Sequence, residues 1–277
     1  DVRLQLHSFA CGSFVISNHL LKTISKLNDV SRYRFTIQNK ILLITGWGVG
    51  VEPLQSLKLH LEKKGFETQL INIFNVLDSN FQEQVDLVSE VDVVIGWSLG
   101  GQLATQLVNT FYEQTEQTKT LITLASNPCF VAHTDWQTAM PADVFSKFKA
   151  SFFQNPQATL KRFYYLITLG SSQAKQDWVS IQNIANPPSS ELLSEGLQML
   201  EQLNLVNNLK NYLGPQLHVF AEQDNVIPCK IIENFKDIVT ENMTYKVLEG
   251  ATHAFPYLEV DRTIEEICQF LTIHQQS

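Results

Sequence analysis

The run Val93-Val94-Ile95-Gly96-Trp97-Ser98-Leu99-Gly100-Gly101-Gln102-Leu103-Ala104 constrains the fold more than any other stretch of the chain. An apolar β-branched strand stops at a glycine-flanked serine, and a helix pattern begins at once. Gly-x-Ser-x-Gly is a steric demand, because a serine on a sharp strand-to-helix turn needs neighbours without side chains, here Gly96 and Gly100. The helix N-terminus behind Ser98 offers free N–H groups and partial positive charge, which suit an oxyanion forming beside it. Such a short pattern also arises by chance in loops, so its weight depends on its surroundings.

The surroundings alternate strand and helix. Lys40 to Thr45 is a continuous apolar run of the kind buried in a parallel sheet, and it ends in Gly46-Trp47-Gly48-Val49-Gly50. Leu54, Leu57, Leu59 and Leu61 mark a helix closed by Gly65, and Phe66 to Asn72 reads as the next strand. A helix near Phe81 to Ser89, a strand from Asp92 to Ile95, a helix over Gln102 to Glu113 and a strand from Thr120 to Ala125 follow. Further strands are expected at Gln216 to Ala221 and Met243 to Leu248, each followed by helix. This predicts an α/β fold with a mostly parallel central sheet flanked by helices. Between Ser126 and Asn204 the β-branched runs vanish, and prolines punctuate about four helical segments rich in Phe, Leu and Gln. The expected organisation is therefore a sheet core over 33–125 and 205–277, split by a helical lid over 126–204. Segment 1–32 has no assigned role; Leu20, Leu21, Ile24 and Leu27 fall at helical spacing there, and Tyr33 to Ile37 alternates like a strand.

A serine at its free pKa is a poor nucleophile and needs a base, which in turn needs a group to fix its tautomer. In parallel sheets functional groups collect at the carboxyl ends of strands. Asp224 lies just past the strand ending at Ala221, and His253 just past the strand ending at Leu248. The chain order Ser98, Asp224, His253 is the one expected of an α/β-hydrolase fold. An aspartate beside Asn225 and Pro228 more commonly makes an Asx turn, Glu222 is a rival acid, and His133 competes with His253. His218 lies within a strand, His60 on a helix, and His7, His19 and His274 near the ends of the chain. The oxyanion hole needs two backbone N–H donors, and Leu99 and Trp47 occupy the expected positions.

The formal net charge of −8 argues against a nucleic-acid partner. Four scattered cysteines, with no Cys-x-x-Cys pair, are expected to be reduced thiols in a cytoplasmic protein. No apolar run is long enough to span a membrane. Ser8 to Leu21, interrupted by Asn18 and His19, is not expected to be a signal peptide. No His, Cys and carboxylate cluster suggests a metal, and no cofactor is expected.

Over residues 33 to 277 the chain resembles the α/β-hydrolases. More closely, Gly46-Trp47-Gly48, Gly96-Trp97-Ser98-Leu99-Gly100-Gly101, Ala125 to Phe130 with Trp136, and Leu160-Lys161-Arg162-Phe163 resemble the pimeloyl-acyl carrier protein methyl ester esterases of biotin synthesis. That resemblance implies hydrolysis of the methyl ester of a seven-carbon acyl chain borne by acyl carrier protein. It implies Ser98, Asp224 and His253 as triad, Trp47 and Leu99 as oxyanion hole, Phe148 in the acyl channel and Arg162 as a carrier contact. Thr45 departs from the pattern, since such enzymes usually carry His there.

Lys147, Lys149, Lys161, Arg162 and Lys175 face the single acid Asp143 between Pro141 and Lys175, a basic stretch that would steer an acidic carrier. Phe145, Phe148, Phe152, Phe153, Phe163, Tyr164 and Tyr165 supply an apolar face for an acyl tunnel or for docking the lid. The expectation is a monomeric serine carboxylesterase, with substrate contacts from Trp47, Phe148, Lys147, Lys149, Lys161 and Arg162. A general short-chain esterase or thioesterase of the same fold, and a non-catalytic hydrolase-like binding protein, are the alternatives.

Overall fold

The computed structural model describes residues 40–78 and 81–274. The expectations for segment 1–32, the Leu20 to Leu27 helix, the Tyr33 to Ile37 strand, Cys11, His7 and His19 lie outside those residues.

Among the described residues six parallel strands form one sheet in the order β2-β1-β3-β4-β5-β6. They are β1 (Lys40–Ile44), β2 (Glu67–Ile71), β3 (Val93–Trp97), β4 (Thr120–Leu124), β5 (Gln216–Ala221) and β6 (Met243–Leu248). Parallel strands need crossovers, and covered faces explain why Ile41 to Ile44 and Val93 to Trp97 are apolar at consecutive positions and all buried. The crossovers are α1 (Gln55–Lys63), α2 (Gln82–Ser89) and α3 (Leu99–Thr115), with α9 (Ile232–Ile238) between β5 and β6. A short α10 (Phe255–Leu258) and α11 (Val260–His274) follow β6. On α1, Leu57 and Leu61 face the core, whereas Leu59 is 53% exposed. Two residues' separation on a helix turns a side chain to the opposite face, so Leu59 does not belong to the apolar stripe expected from the sequence.

Between β4 and β5 the chain leaves the sheet for α4 (Ala142–Gln154), α5 (Pro156–Thr168), α6 (Ala174–Ile184), α7 (Ser190–Gln202) and α8 (Val206–Asn211). Asn155 caps α5 by accepting from the Ala158 N–H, with Pro156 at its first position, and Ser189 caps α7. Pro141 precedes α4, Pro156 opens α5, and Pro187-Pro188 separates α6 from α7, but the break between α5 and α6 falls at Gly170, at φ 105°, and α8 adds a short helix before the sheet resumes. No helix among the described residues is long and apolar enough to cross a membrane.

Candidate active site

Strand β3 hands directly into α3 through Ser98, whose backbone is at φ 57° and ψ −119°. A non-glycine residue in this region carries about 1–3 kcal/mol of strain, held only because its surroundings over-determine it. Here they do. The Ser98 N–H donates to the Leu124 carbonyl, and its own carbonyl accepts from Gly101 N–H and from Ser126 Oγ at 2.8 Å. A Cβ on Gly96 would lie 2.0 Å from the Gly100 carbonyl oxygen, and one on Gly100 would lie 2.4 Å from the Thr45 oxygen. Both glycines are thus required by backbone packing, and Gly101 likewise by Ser126.

Ser98 Oγ lies 3.0 Å from His253 Nε2, and His253 Nδ1 lies 2.8 Å from Asp224 Oδ2. Asp224 follows β5, and its other oxygen, Oδ1, accepts from the N–H groups of Val226 and Ile227 at 2.7 and 2.8 Å. The Asx-turn reading and the base-orienting geometry therefore coexist in one carboxylate. The His253 loop is held from several sides. Gln223 N–H donates to the Ala251 carbonyl, Ala254 N–H to that of Ile167, and Trp97 Nε1 to that of His253 at 3.0 Å. Glu222, the rival acid, accepts from Gly250 N–H and so braces this loop instead of meeting the imidazole. His133 is exposed, and its backbone pairs with that of Trp136.

Burial pushes the pKa of His218 down to about 3, and its Nδ1 lies 2.7 Å from Thr123 Oγ1, which makes it a neutral core histidine.

The loop after β1 passes beside the serine: a Cβ on Gly46 would lie 3.2 Å from Ser98 Cβ. The backbone N–H groups of Trp47 and Leu99 have no protein acceptor among the described residues. The Trp47 indole donates to the Leu193 carbonyl at 2.8 Å and meets Phe148, Phe152 and Phe163 edge-on. Gly196 leaves room for that ring, since a Cβ there would approach it to 2.5 Å. Thr45, at the departure from the family pattern, donates through Oγ1 to the Gly50 carbonyl at 2.5 Å and closes the loop on itself.

Ser98 contributes to an otherwise apolar cavity of about 100 Å³, lined by Trp47, Phe130, Met140, Phe145, Phe148, Phe163 and Val226 among others. Phe148, Phe163 and Leu166 also line an outer groove with Tyr165, Trp178, Lys161 and Arg162. Of the expected aromatic face, Phe152 packs on Trp47 and Tyr164 is buried, while Phe153 is 58% and Tyr165 47% exposed.

The basic stretch is divided. Lys147 pairs with Asp143 at 3.1 Å, and Lys149 pairs with Glu201 from α7, an acid outside the 141–175 stretch. Lys161 and Arg162 are exposed on α5 without an acidic partner among the described residues.

The sequence assigns no separate role to Trp97, Ser126 or Val226, and places Tyr164 on the apolar face without its hydroxyl's bond to the Gly48 carbonyl. The Ser-Asn-Pro-Cys-Phe run carried a usable signal for Ser126. Asn127 Oδ1 accepts from Cys129 N–H and Trp136 Nε1 to shape the turn that brings Ser126 under the serine.

Residues 81–260 match the family model described as alpha/beta hydrolase fold. The pimeloyl-[acyl-carrier protein] methyl ester esterase of Pectobacterium atrosepticum is 30% identical over 243 residues, covering 83% of this chain and 93% of that protein. The protein of the same name from Serratia marcescens is 29% identical, covering 86% and 95%. Among solved structures, an esterase from Exiguobacterium antarcticum superposes with TM-score 0.70 at 14% identity, over 84% of this chain and 92% of its own. A bromoperoxidase from Bacillus anthracis superposes with TM-score 0.69 at 13% identity, over 84% and 92%. At such identities the structures speak for the fold alone, which hosts many chemistries.

Proposed function

The chain belongs to the α/β-hydrolase family and is a carboxylesterase-type hydrolase; from that premise we propose that it removes the methyl group from pimeloyl-acyl carrier protein methyl ester in biotin synthesis. The observation that carries the reading is the hydrogen-bonded chain Ser98, His253, Asp224 opening on an apolar cavity. A cavity in which Ser98 is the polar group suits a methylene chain with one reactive ester.

In the proposed mechanism the Ser98 hydroxyl gives its proton to His253 Nε2 as Oγ attacks the ester carbonyl. The imidazole donates from Nδ1 to ionised Asp224, which stabilises the imidazolium and fixes the tautomer. The backbone N–H groups of Leu99 and Trp47 receive the oxyanion. Methanol leaves with the proton from Nε2, and water then repeats the sequence on the acyl-enzyme, freeing the carboxylate and Ser98. These side chains and backbone groups complete both half-reactions without a cofactor.

The carrier reading is supported by the outer groove. Phe148, Phe163 and Leu166 are common to cavity and groove, and Lys161 and Arg162 stand at the groove with no acidic partner among the described residues. An acyl chain leading from Ser98 toward the groove would bring an acidic carrier to those cations, whereas Lys147 and Lys149 are already paired. The experiment is a double reversal, Lys161→Glu with Arg162→Glu, assayed on the carrier-linked ester and on a small free ester. A selective loss of carrier turnover, at least about tenfold, is expected from losing two steering charges. Equal rates on the carrier before and after reversal would favour a general short-chain esterase.

A further inference from the structure

We infer that the lid holds the oxyanion loop in its working conformation, with the Tyr164 hydroxyl as the positioning group for the Trp47 N–H; this rests on the serine-esterase reading above. Residues 46–50 contain Gly46, Gly48 and Gly50, with φ of +81° at Gly48 and +74° at Gly50. Glycine gains nothing from one conformation over another, so such a loop needs outside bonds to keep an N–H aimed at a reacting oxygen.

From the core side Thr45 Oγ1 reaches the Gly50 carbonyl. Among the described residues, the other ties come from the inserted helices and the loop between them. Tyr164 on α5 donates to the Gly48 carbonyl at 2.7 Å, and the Asn186 N–H donates to that of Val49 at 3.1 Å. The Trp47 indole donates to the Leu193 carbonyl on α7. Packing agrees with the hydrogen bonds: a Cβ on Gly48 would lie 3.1 Å from Leu160 on α5, and one on Gly50 would lie 2.1 Å from the Asn186 oxygen. Tyr164 is only 5% exposed, so its bond to the Gly48 carbonyl is shielded from water. One peptide separates that carbonyl from the Trp47 N–H, and turning it re-aims the donor beside Ser98. The lid thereby acts on the chemistry of every ester, including those too small to touch it.

The test is Tyr164→Phe, which deletes one oxygen, assayed on p-nitrophenyl acetate and on a long-chain methyl ester. Rates are referred to active sites counted with a fluorophosphonate, so an unfolded fraction drops out. Loss of one positioning hydrogen bond should lower kcat about tenfold on both esters while KM moves less than about twofold. Affinity for phenylboronic acid, which forms a tetrahedral serine adduct, should fall by a similar factor. Ser180→Ala removes a different lid-to-core hydrogen bond, to the Tyr257 hydroxyl at 2.5 Å, and should leave both rates unchanged. Unaltered kcat in Tyr164→Phe, or a loss confined to the long ester or to KM, overturns the inference. p-Nitrophenyl acetate turnover that survives Ser98→Ala would overturn the esterase reading instead.

Discussion

Asp224 and His253 meet through Oδ2 and Nδ1 at 2.8 Å, with both side chains 1% exposed, while the second aspartate oxygen is committed to the Val226 and Ile227 N–H groups. Each oxygen of this carboxylate has its own task, so the two roles separate by substitution. Asp224→Asn retains an oxygen for the turn but presents an amide to the imidazole. It should fold nearly as well as the parent and lose about 10³- to 10⁴-fold in kcat, the scale seen when the base is left in the wrong tautomer. Asp224→Ala should lose the activity and in addition about 1–3 kcal/mol of stability, because two buried N–H groups are orphaned. Denaturant midpoints alongside kcat check both; equal midpoints for the two variants would refute the division.

Ser98→Ala should abolish fluorophosphonate labelling and reduce turnover by about 10³-fold or more, leaving what binding and the oxyanion donors alone provide. Intact-protein mass spectrometry reads the first and steady-state kinetics the second. Labelling that persists at another residue would remove Ser98 from its role.

Gly100→Ala and Gly250→Ala should differ sharply. At Gly100 the new methyl meets the β1 backbone at Thr45 and Ile44, where nothing flexible can yield, so a loss of several kcal/mol or failure to fold is expected. At Gly250, with φ of +70° and open space, only the left-handed strain of about 1–2 kcal/mol applies. Thermal unfolding of the pair checks the order, and a Gly250 variant less stable than the Gly100 variant would contradict it.

His218 should make folding pH-dependent. Burial lowers its pKa from 6.5 to about 3, so below pH 6.5 the unfolded chain takes up a proton that the folded chain refuses. Its contribution is fully present above pH 6.5 and is lost as pH falls toward about 3, at up to about 1.4 kcal/mol per pH unit. Urea midpoints between pH 7 and 5 should fall less steeply in His218→Val than in the parent, even though that variant starts lower by leaving Thr123 Oγ1 without its partner. Parallel slopes would show that His218 is not the group responsible.

The sheet was legible because buried parallel strands must be apolar at successive positions, as Ile41 to Ile44 and Val93 to Ile95 are. Asp224 and His253 were legible for a related reason: side chains just past strand ends are brought to one edge. What escaped depends on contacts far apart in sequence. The Lys149–Glu201 pair spans 52 positions and Tyr164–Gly48 spans 116, and neither local periodicity nor charge counting senses a partner on another helix. Trp97 shows a different limit. The glycine-serine motif marks only its backbone position, whereas its indole donates to the His253 carbonyl, 156 positions away.

The central claim is tested most directly by the mass of acyl carrier protein loaded with pimeloyl methyl ester, measured before and after incubation with the enzyme. The account predicts loss of one CH₂ from the carrier with the thioester intact, at a rate that Ser98→Ala removes. An unchanged mass, or release of the whole acyl group to leave bare carrier, would contradict it.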